Sequence, residues 1–244
     1  MCIIFLTLCI FNVPIERYIS TIKFYSMAVL GISGSPKKGG NTDRMVQALL
    51  ERSGKETEFV NLSTLRFDPC RGCVHLCAPT KICGVKDGLH PYLQKVLDAE
   101  VLVLGTPIFM GTMTGFMFNF LTRLEGFHHV IPALLNKPAV LVSTGCKKHE
   151  FQVNEGIHRF EEMVSHSHQI KPMGHIYYNA QSPPCLRCGE GDHCYIGGLY
   201  NHVLGKDKEK LEKFDVSLES VQNWEDSSQV VEEIDKYAKV LEEF

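Results

Sequence analysis

The stretch Met27–Leu50, MAVLGISGSPKKGGNTDRMVQALL, decides the fold. It opens on an apolar run, Ala28 to Ile32, that reads as a buried parallel strand. A loop of small residues follows, Ser33-Gly34-Ser35-Pro36-Lys37-Lys38-Gly39-Gly40-Asn41-Thr42, and then a helix with Met45, Val46, Leu49 and Leu50 on one face. A strand that feeds such a loop into a helix start makes an anion cradle, because backbone N–H groups and the helix dipole point at the same spot. Ser33, Ser35, Asn41 and Thr42 add hydroxyl and amide donors. No Gly-Lys-Ser/Thr closes the loop, so it is not a Walker P-loop, and the dinucleotide G-x-G-x-x-G is absent. Mostly neutral donors suit a terminal phosphomonoester held by many hydrogen bonds, as in FMN. An ordinary strand–loop–helix turn with Gly and Pro punctuation is the plain alternative.

The pattern repeats downstream. Glu58–Leu62, Glu100–Gly105, Ala139–Ser143 and Ile170–Tyr178 read as further strands. Helical periodicity appears over Leu89–Leu97, Thr114–Leu124, Glu150–Ser165 and 228–243, the last with a stripe of Val230, Val231, Ile234, Tyr237, Ala238 and Leu241. Residues 63–88 read as a long cysteine-bearing loop. Continuous apolar strands alternating with helices point to a doubly wound α/β fold around a parallel sheet of five strands. The expected organisation is an N-terminal extension over 1–26, a core domain over 27–180 and a cysteine-containing extension over 181–244.

Composition narrows the class. Hydrophobic and charged residues make up 44% and 22% of 244 residues, as in an ordinary globular protein with a full core. The net charge of −3 gives no reason to expect a nucleic-acid or membrane-surface partner. Ten cysteines are many, and they cluster: four between Cys70 and Cys83, three between Cys185 and Cys194. Such gaps favour metal or cluster ligation over a disulfide framework, and clustered thiols imply a reducing cytoplasm, in an anaerobe or microaerophile. Residues 2–13, CIIFLTLCIFNV, are too short an apolar run to span a bilayer and lack a basic n-region and a cleavage site. Residues 1–26 are therefore expected to be upstream sequence from a mis-assigned start, with a signal or anchor as the lesser alternative.

Ligands of such sheets bind at the carboxyl ends of the strands, near the point where the strand order reverses. Three loops fall there: 33–42, 106–115 and 143–149. The second, Thr106-Pro107-Ile108-Phe109-Met110-Gly111-Thr112-Met113-Thr114-Gly115, mixes apolar surface with small residues and could lie against a planar ring. The third, Ser143-Thr144-Gly145-Cys146, is small and hydroxyl-rich. In this order they suit FMN lying across the sheet edge.

GSPKKGGNT, then CRGCVHLC, then LVLGTPIFMGTMTG resembles the flavodoxin-like NADPH-dependent FMN reductase superfamily, and within it the iron–sulfur flavoproteins of anaerobic microbes. The likeness runs from about Ala28 to Gly145. It implies a flavodoxin-like fold in which Ser33, Ser35, Lys37, Asn41 and Thr42 serve the FMN phosphate. Pro107, Ile108, Phe109, Met110 and Gly111 would line the isoalloxazine, and Thr144 and Gly145 would close the third side. The chain departs from the family in having Phe109 where Tyr is frequent. It also has an apolar Phe116-Met117-Phe118-Asn119-Phe120 where the helix often carries Lys, and a third cysteine one residue late. The apolar helix suggests a subunit interface, hence a homodimer or homotetramer.

Cys70-x2-Cys73-x3-Cys77-x5-Cys83 supplies four thiolates within 14 residues, one for each iron of a [4Fe–4S] cube. The same ligands could hold tetrahedral zinc. Spacing does not decide; a redox flavin beside one compact loop favours the cluster. Cys185, Cys188 and Cys194 offer a possible second metal site, with His193, His202 or Cys146 as a fourth ligand and zinc, iron–sulfur or no metal open. His128-His129 and His166/His168 read as surface or helix-end residues. Trp224 reads as packing and Lys206–Lys213 as a solvated face.

The expected function is that of an FMN-dependent oxidoreductase passing electrons between FMN and a [4Fe–4S] cluster. No side-chain acid or base is nominated as catalytic, since the flavin carries the chemistry. The donor would be NAD(P)H or ferredoxin, and the acceptor a small molecule or a protein. The alternatives are an NAD(P)H-dependent flavin or quinone reductase with structural zinc, a non-enzymatic flavodoxin-like electron carrier, and a metal-stabilised module without FMN.

Overall fold

The computed structural model describes residues 28–145, 150–179 and 223–244. Six strands form: β1 Val29–Ser33, β2 Thr57–Asn61, β3 Val101–Phe109, β4 Thr112–Met113, β5 Pro138–Thr144 and β6 Lys171–Tyr178. Among the described residues six α-helices accompany them: α1 Asn41–Arg52, α2 Val74–Thr80, α3 His90–Asp98, α4 Gly115–Arg123, α5 Glu150–Glu162 and α6 Ser228–Glu242. Five strands pair in parallel in the order β2-β1-β3-β5-β6, the flavodoxin-like arrangement. The chain starts at β1, moves outward to β2, then returns past β1 to β3, so the order reverses between β1 and β3.

Strand periodicity sorts the core into two layers. Leu30, Ile32, Leu102, Leu104, Ala139 and Leu141 face one way, against Leu93 and Val96 of α3, Met117, Phe120 and Leu121 of α4, and Phe160 of α5. Val29, Val101, Val103, Val140, Val142 and Ile176 face the other way, against Met45, Val46 and Leu49 of α1 and Ile234, Ala238 and Leu241 of α6. Burial on both faces is why these strands read as continuous apolar runs. Helix α1 lies unusually close to the sheet. A Cβ on Gly31 would come within 2.6 Å of Leu50 Cδ1, and one on Gly105 within 2.5 Å of Val46 Cγ2.

Two expectations need correction. The sheet has six strands, because β3 runs on to Phe109 and turns back antiparallel into β4 through Met110 and Gly111. Both turn residues have positive φ, 52° and 74°, which matches the right-handed twist of a tight hairpin. The cysteine segment 63–88 is not all loop: α2 forms within it, with Cys73 at the N-cap and Cys77 inside. His168 sits at a helix end, as the C-cap of the π turn after α5, and is buried there. Trp224 packs in the α1–α6 layer as expected. The apolar N-terminal run, Cys146, His193, His202, Lys206–Lys213 and the Cys185, Cys188 and Cys194 group lie outside the described residues. Among the described residues no helix is long and apolar enough to cross a membrane.

His168 follows a five-residue π turn after α5, and its Nδ1 lies 2.8 Å from Nε2 of His128. Burial, with the field of His128 adding to it, pushes its pKa down from 6.5 to about 4. Between those values the unfolded chain binds a proton that the folded protein refuses. Stability is therefore full above pH 6.5 and drains as the pH falls toward about 4, by ~3 kcal/mol at most. Urea unfolding of His168→Gln should show a flatter stability profile across that window; an unchanged slope would assign the acid sensitivity elsewhere.

Candidate functional site

The first loop is built where the strand order reverses. Past Ser33 the backbone stays tied to β3, with Gly34 N–H donating to the Gly105 carbonyl at 2.8 Å. Thr114, the N-cap of α4, donates its hydroxyl to the Gly34 carbonyl at 2.6 Å. The chain then turns through Ser35–Gly39 into α1. The N-cap of α1 is Gly40, which has no side chain to cap the first-turn N–H groups. A helix end left this way presents its positive pole to whatever sits in the loop.

A buried carboxylate holds the loop from behind. Asp43 accepts from Ser33 Oγ at 2.5 Å, from Gly39 N–H at 2.9 Å and from Asn61 Nδ2 at 2.9 and 2.8 Å. Ser33 is thus turned inward and shapes the loop, and its oxygen also accepts from Ser35 N–H at 3.2 Å. Ser35 Oγ closes a local ring by donating to the Lys37 carbonyl and accepting from Lys37 N–H. Lys37 itself is exposed at the loop tip. Asn41 Oδ1 accepts from Arg44 at 2.7 Å and from Trp224 N–H at 3.3 Å, which ties the cradle to the segment before α6.

The three sequence-nominated loops meet. Thr42 Oγ1 lies 2.8 Å from Thr144 Oγ1, joining the first loop to the third across the ends of β1, β3 and β5. Gly145 N–H donates to the Tyr178 carbonyl at 2.8 Å. In the second loop Pro107 and Ile108 are buried, whereas Phe109 is 45% and Met110 95% exposed at the hairpin tip, beside Gly111. That tip presents an apolar surface beyond the carboxyl end of the β3 core.

Cys70, Cys73, Cys77 and Cys83 are all free, with Cys70 exposed and Cys77 and Cys83 buried. Gly72 N–H donates to Cys70 Sγ at 3.4 Å. Burial pushes the Cys77 thiol up, and Cys83, Cys73 and Cys70 add to the shift. Among the described residues no three His, Cys, Asp or Glu side chains gather closely enough to hold a metal. The donor set nevertheless fits a thiolate-ligated centre in kind: four sulfurs free of disulfides from one short segment, two of them, Cys70 and Cys83, already receiving an N–H donor.

Sequence reasoning missed the groups that organise these loops. Asp43 was legible only as an acidic residue in a first helical turn. Arg123, fully buried, was legible only as one cation ending the apolar run Phe116–Leu121. Also missed was a line of polar groups beside the third loop, in which His175 bridges Glu161 at 2.7 Å and Ser143 at 2.9 Å. Burial lowers the His175 pKa, and Glu161 opposes the shift.

Asp43→Ala would leave Asn61 and Ser33 buried without their acceptor, at about 1–3 kcal/mol for each unpaired group. The urea midpoint should fall and the loop should loosen. A midpoint equal to wild type would show that the loop holds its shape without the carboxylate.

The profile of the NADPH-dependent FMN reductase family matches residues 27–165, over half the chain. An iron–sulfur flavoprotein of Methanocaldococcus jannaschii is 32% identical over 143 residues, covering 55% of this chain and 71% of that protein. Iron–sulfur flavoproteins of Methanosarcina thermophila and Archaeoglobus fulgidus are each 31% identical, over 49% and 51% of this chain and 63% and 58% of their own lengths. Among solved structures, the Smu.1420 protein of Streptococcus mutans superposes with a TM-score of 0.53 at 14% identity, and the azoreductase AzrA with 0.51 at 11%. Each covers 89% of this chain and 100% of its own. These two likenesses are of fold alone.

Proposed function

This chain belongs to the NADPH-dependent FMN reductase family and is a flavin-dependent oxidoreductase; from that membership we propose that it is an iron–sulfur flavoprotein exchanging electrons between FMN and a [4Fe–4S] cluster. The observation that carries the flavin part is the α1 N-terminus, capped by Gly40 and placed at the β1/β3 reversal. Backbone N–H groups of the loop, with Ser35, Lys37, Asn41 and Thr42, hold the phosphate, and Ser33 acts through Asp43. Pro107, Ile108, Phe109, Met110 and Gly111 flank the ring, and Thr144 and Gly145 close the third side. Cys70, Cys73, Cys77 and Cys83 hold the cluster. When bound, FMN supplies hydride acceptance and one-electron exchange, and the cluster supplies one-electron exchange only. The chain's own part is to orient the ring, to keep water from its buried side through Ile108 and Met113, and to keep the two groups on one rigid body. NAD(P)H or ferredoxin is the proposed donor, and a small molecule or a protein the acceptor.

Anaerobically purified protein should carry FMN and about four irons per chain. Asn41→Ala with Thr42→Ala should weaken FMN binding at least ~10-fold, a loss of about 1.4 kcal/mol, while the fold survives. Cys70→Ala, Cys73→Ala, Cys77→Ala or Cys83→Ala should each remove most of the iron and spare the flavin. Cys185→Ala should leave that iron in place. Full FMN occupancy in the double variant overturns the cradle, and about one zinc with no iron overturns the cluster.

We also propose a homodimer or homotetramer. Met117 and Phe120 are spent on the core, so on α4 the exposed apolar surplus reduces to Phe118, 48% exposed; elsewhere Phe109 and Met110 at the hairpin tip and Val130, Ile131 and Leu135 are also exposed. Sedimentation should give an oligomer that Phe118→Asp weakens. A wild-type monomer at micromolar concentration would contradict this.

A further inference from the structure

Arg123, the last residue of α4, carries a charge with no exposed side-chain surface at all. All three of its guanidinium nitrogens are engaged, and every partner lies in the cysteine segment. Nη1 donates to the Asp68 carbonyl at 2.8 Å and to Asp87 Oδ2 at 2.6 Å. Nη2 donates to the Val85 carbonyl at 3.1 Å and more weakly to Asp87 Oδ1 at 3.3 Å. Nε donates to Cys83 Sγ at 3.1 Å. Burying a guanidinium is costly, and a hydrophobic side chain of similar volume would fill the same space more cheaply. A need only for bulk or for a loop staple gives no reason for a donor aimed at sulfur.

The orientation is informative. The fork edge of the guanidinium faces Asp87 and the Nε edge faces Cys83. Burial alone would raise the Asp87 carboxyl; the Arg123 fork, with backbone N–H groups of Asp68 and Leu89, outweighs burial and holds it below the usual range. The result is a fixed, buried dipole with its positive end on one cysteine sulfur. No other cysteine among the four receives a charged donor in the structure. Hydrogen bonds to ligand sulfur and nearby net charge are the protein's levers on an iron–sulfur potential.

We propose that Arg123 is a positioning residue for the redox centre: it places Cys83 Sγ as a ligand and, through the Nε–H···S bond and the Arg123–Asp87 dipole, raises the reduction potential of the cluster. The inference rests on the [4Fe–4S] reading above. Reduction adds one electron, whose charge spreads over the iron and the ligand sulfurs. A donor on one of those sulfurs stabilises the reduced form more than the oxidised form. Lysine cannot reproduce the arrangement, because a point charge lacks the planar fork that grips Asp87 while a further N–H reaches sulfur. Helix α4 also confines the effect. Its opposite end, at Thr114, holds the Gly34 carbonyl of the flavin cradle, on the order of 13 Å away along nine residues. The flavin should therefore respond far less than the cluster.

The test is a dithionite titration of anaerobically purified full-length protein, following the cluster by electron paramagnetic resonance and the flavin by absorbance, with iron measured in each sample. In Arg123→Gln the cluster midpoint should fall. In Asp87→Asn, which removes the negative end of the dipole, it should rise. Arg123→Lys should lie between Arg123→Gln and wild type. Arg52→Gln makes the same change of net charge at the end of α1, on the opposite face of the sheet, and should leave the midpoint where it is. Opposite shifts for Arg123→Gln and Asp87→Asn are the signature, since a purely structural role would alter iron occupancy without ordering the potentials by charge. Iron-loaded variants with the wild-type midpoint overturn the inference and leave the cluster reading standing. So does loss of iron from all three site variants beside an iron-loaded wild type, which would make Arg123 a loop staple only. An iron-free wild type overturns the cluster reading itself and the inference with it.

Discussion

The close approach of α1 to β1 and β3 is the constraint on which the rest of this structure depends. It exists because Gly31 and Gly105 leave room where any Cβ would meet Leu50 or Val46. With α1 pressed onto the sheet between these two strands, its N-terminus lands at the mouth of the crevice where the strand order reverses. The loop from Ser33 to Gly40 has only one short path between those fixed ends. Thr42 comes into register with Thr144, and Asp43 falls beneath the loop, where Ser33, Gly39 and Asn61 converge on it. The shape of the loop thus follows from how α1 packs on β1 and β3.

Two buried charges then divide the labour on the other side of the sheet edge and along α4. Asp43 organises the Ser33–Gly40 loop, and Arg123 organises the cysteine segment. Each is expensive to bury and is offset by a full set of partners. Helix α4 connects the two regions, since its N-cap Thr114 binds Gly34 and its last residue grips Asp68, Cys83, Val85 and Asp87. Its middle is seated in the core by Met117, Phe120 and Leu121. A short stiff element clamped at both ends fixes the separation between the Ser33–Gly40 loop and the cysteine segment.

The buried histidines belong to the same economy of polar groups. His175 has both ring nitrogens partnered, by Glu161 and Ser143, and so links β6, α5 and the end of β5 without an unpaired atom. His168 shares only one bond, with His128, and its Nε2 has no partner among the described residues. The first is a stable cross-tie; the second is a liability that acid exposes.

By itself the sequence determined the layered α/β architecture, the five parallel strands and the three loops at their carboxyl ends. Apolar runs buried on both faces and small-residue loops before helices are local signals, and each is readable within a few residues. It also made the cysteine spacing plain. Only the tertiary structure decided which groups hold these parts in place. Asp43, Arg123, Thr114 and His175 are single polar residues with no periodicity, and apart from Gly39 beside Asp43 the partners named above lie 10 to 80 positions away and meet them only through folding. The turn at Met110 and Gly111 was likewise hidden, because a methionine carries no signal for a left-handed backbone; the pairing of Ile108 with Met113 imposes it. The fate of Phe120 and Met117, core and not surface, depended on which face of α4 met the sheet, and a run apolar all round cannot reveal that.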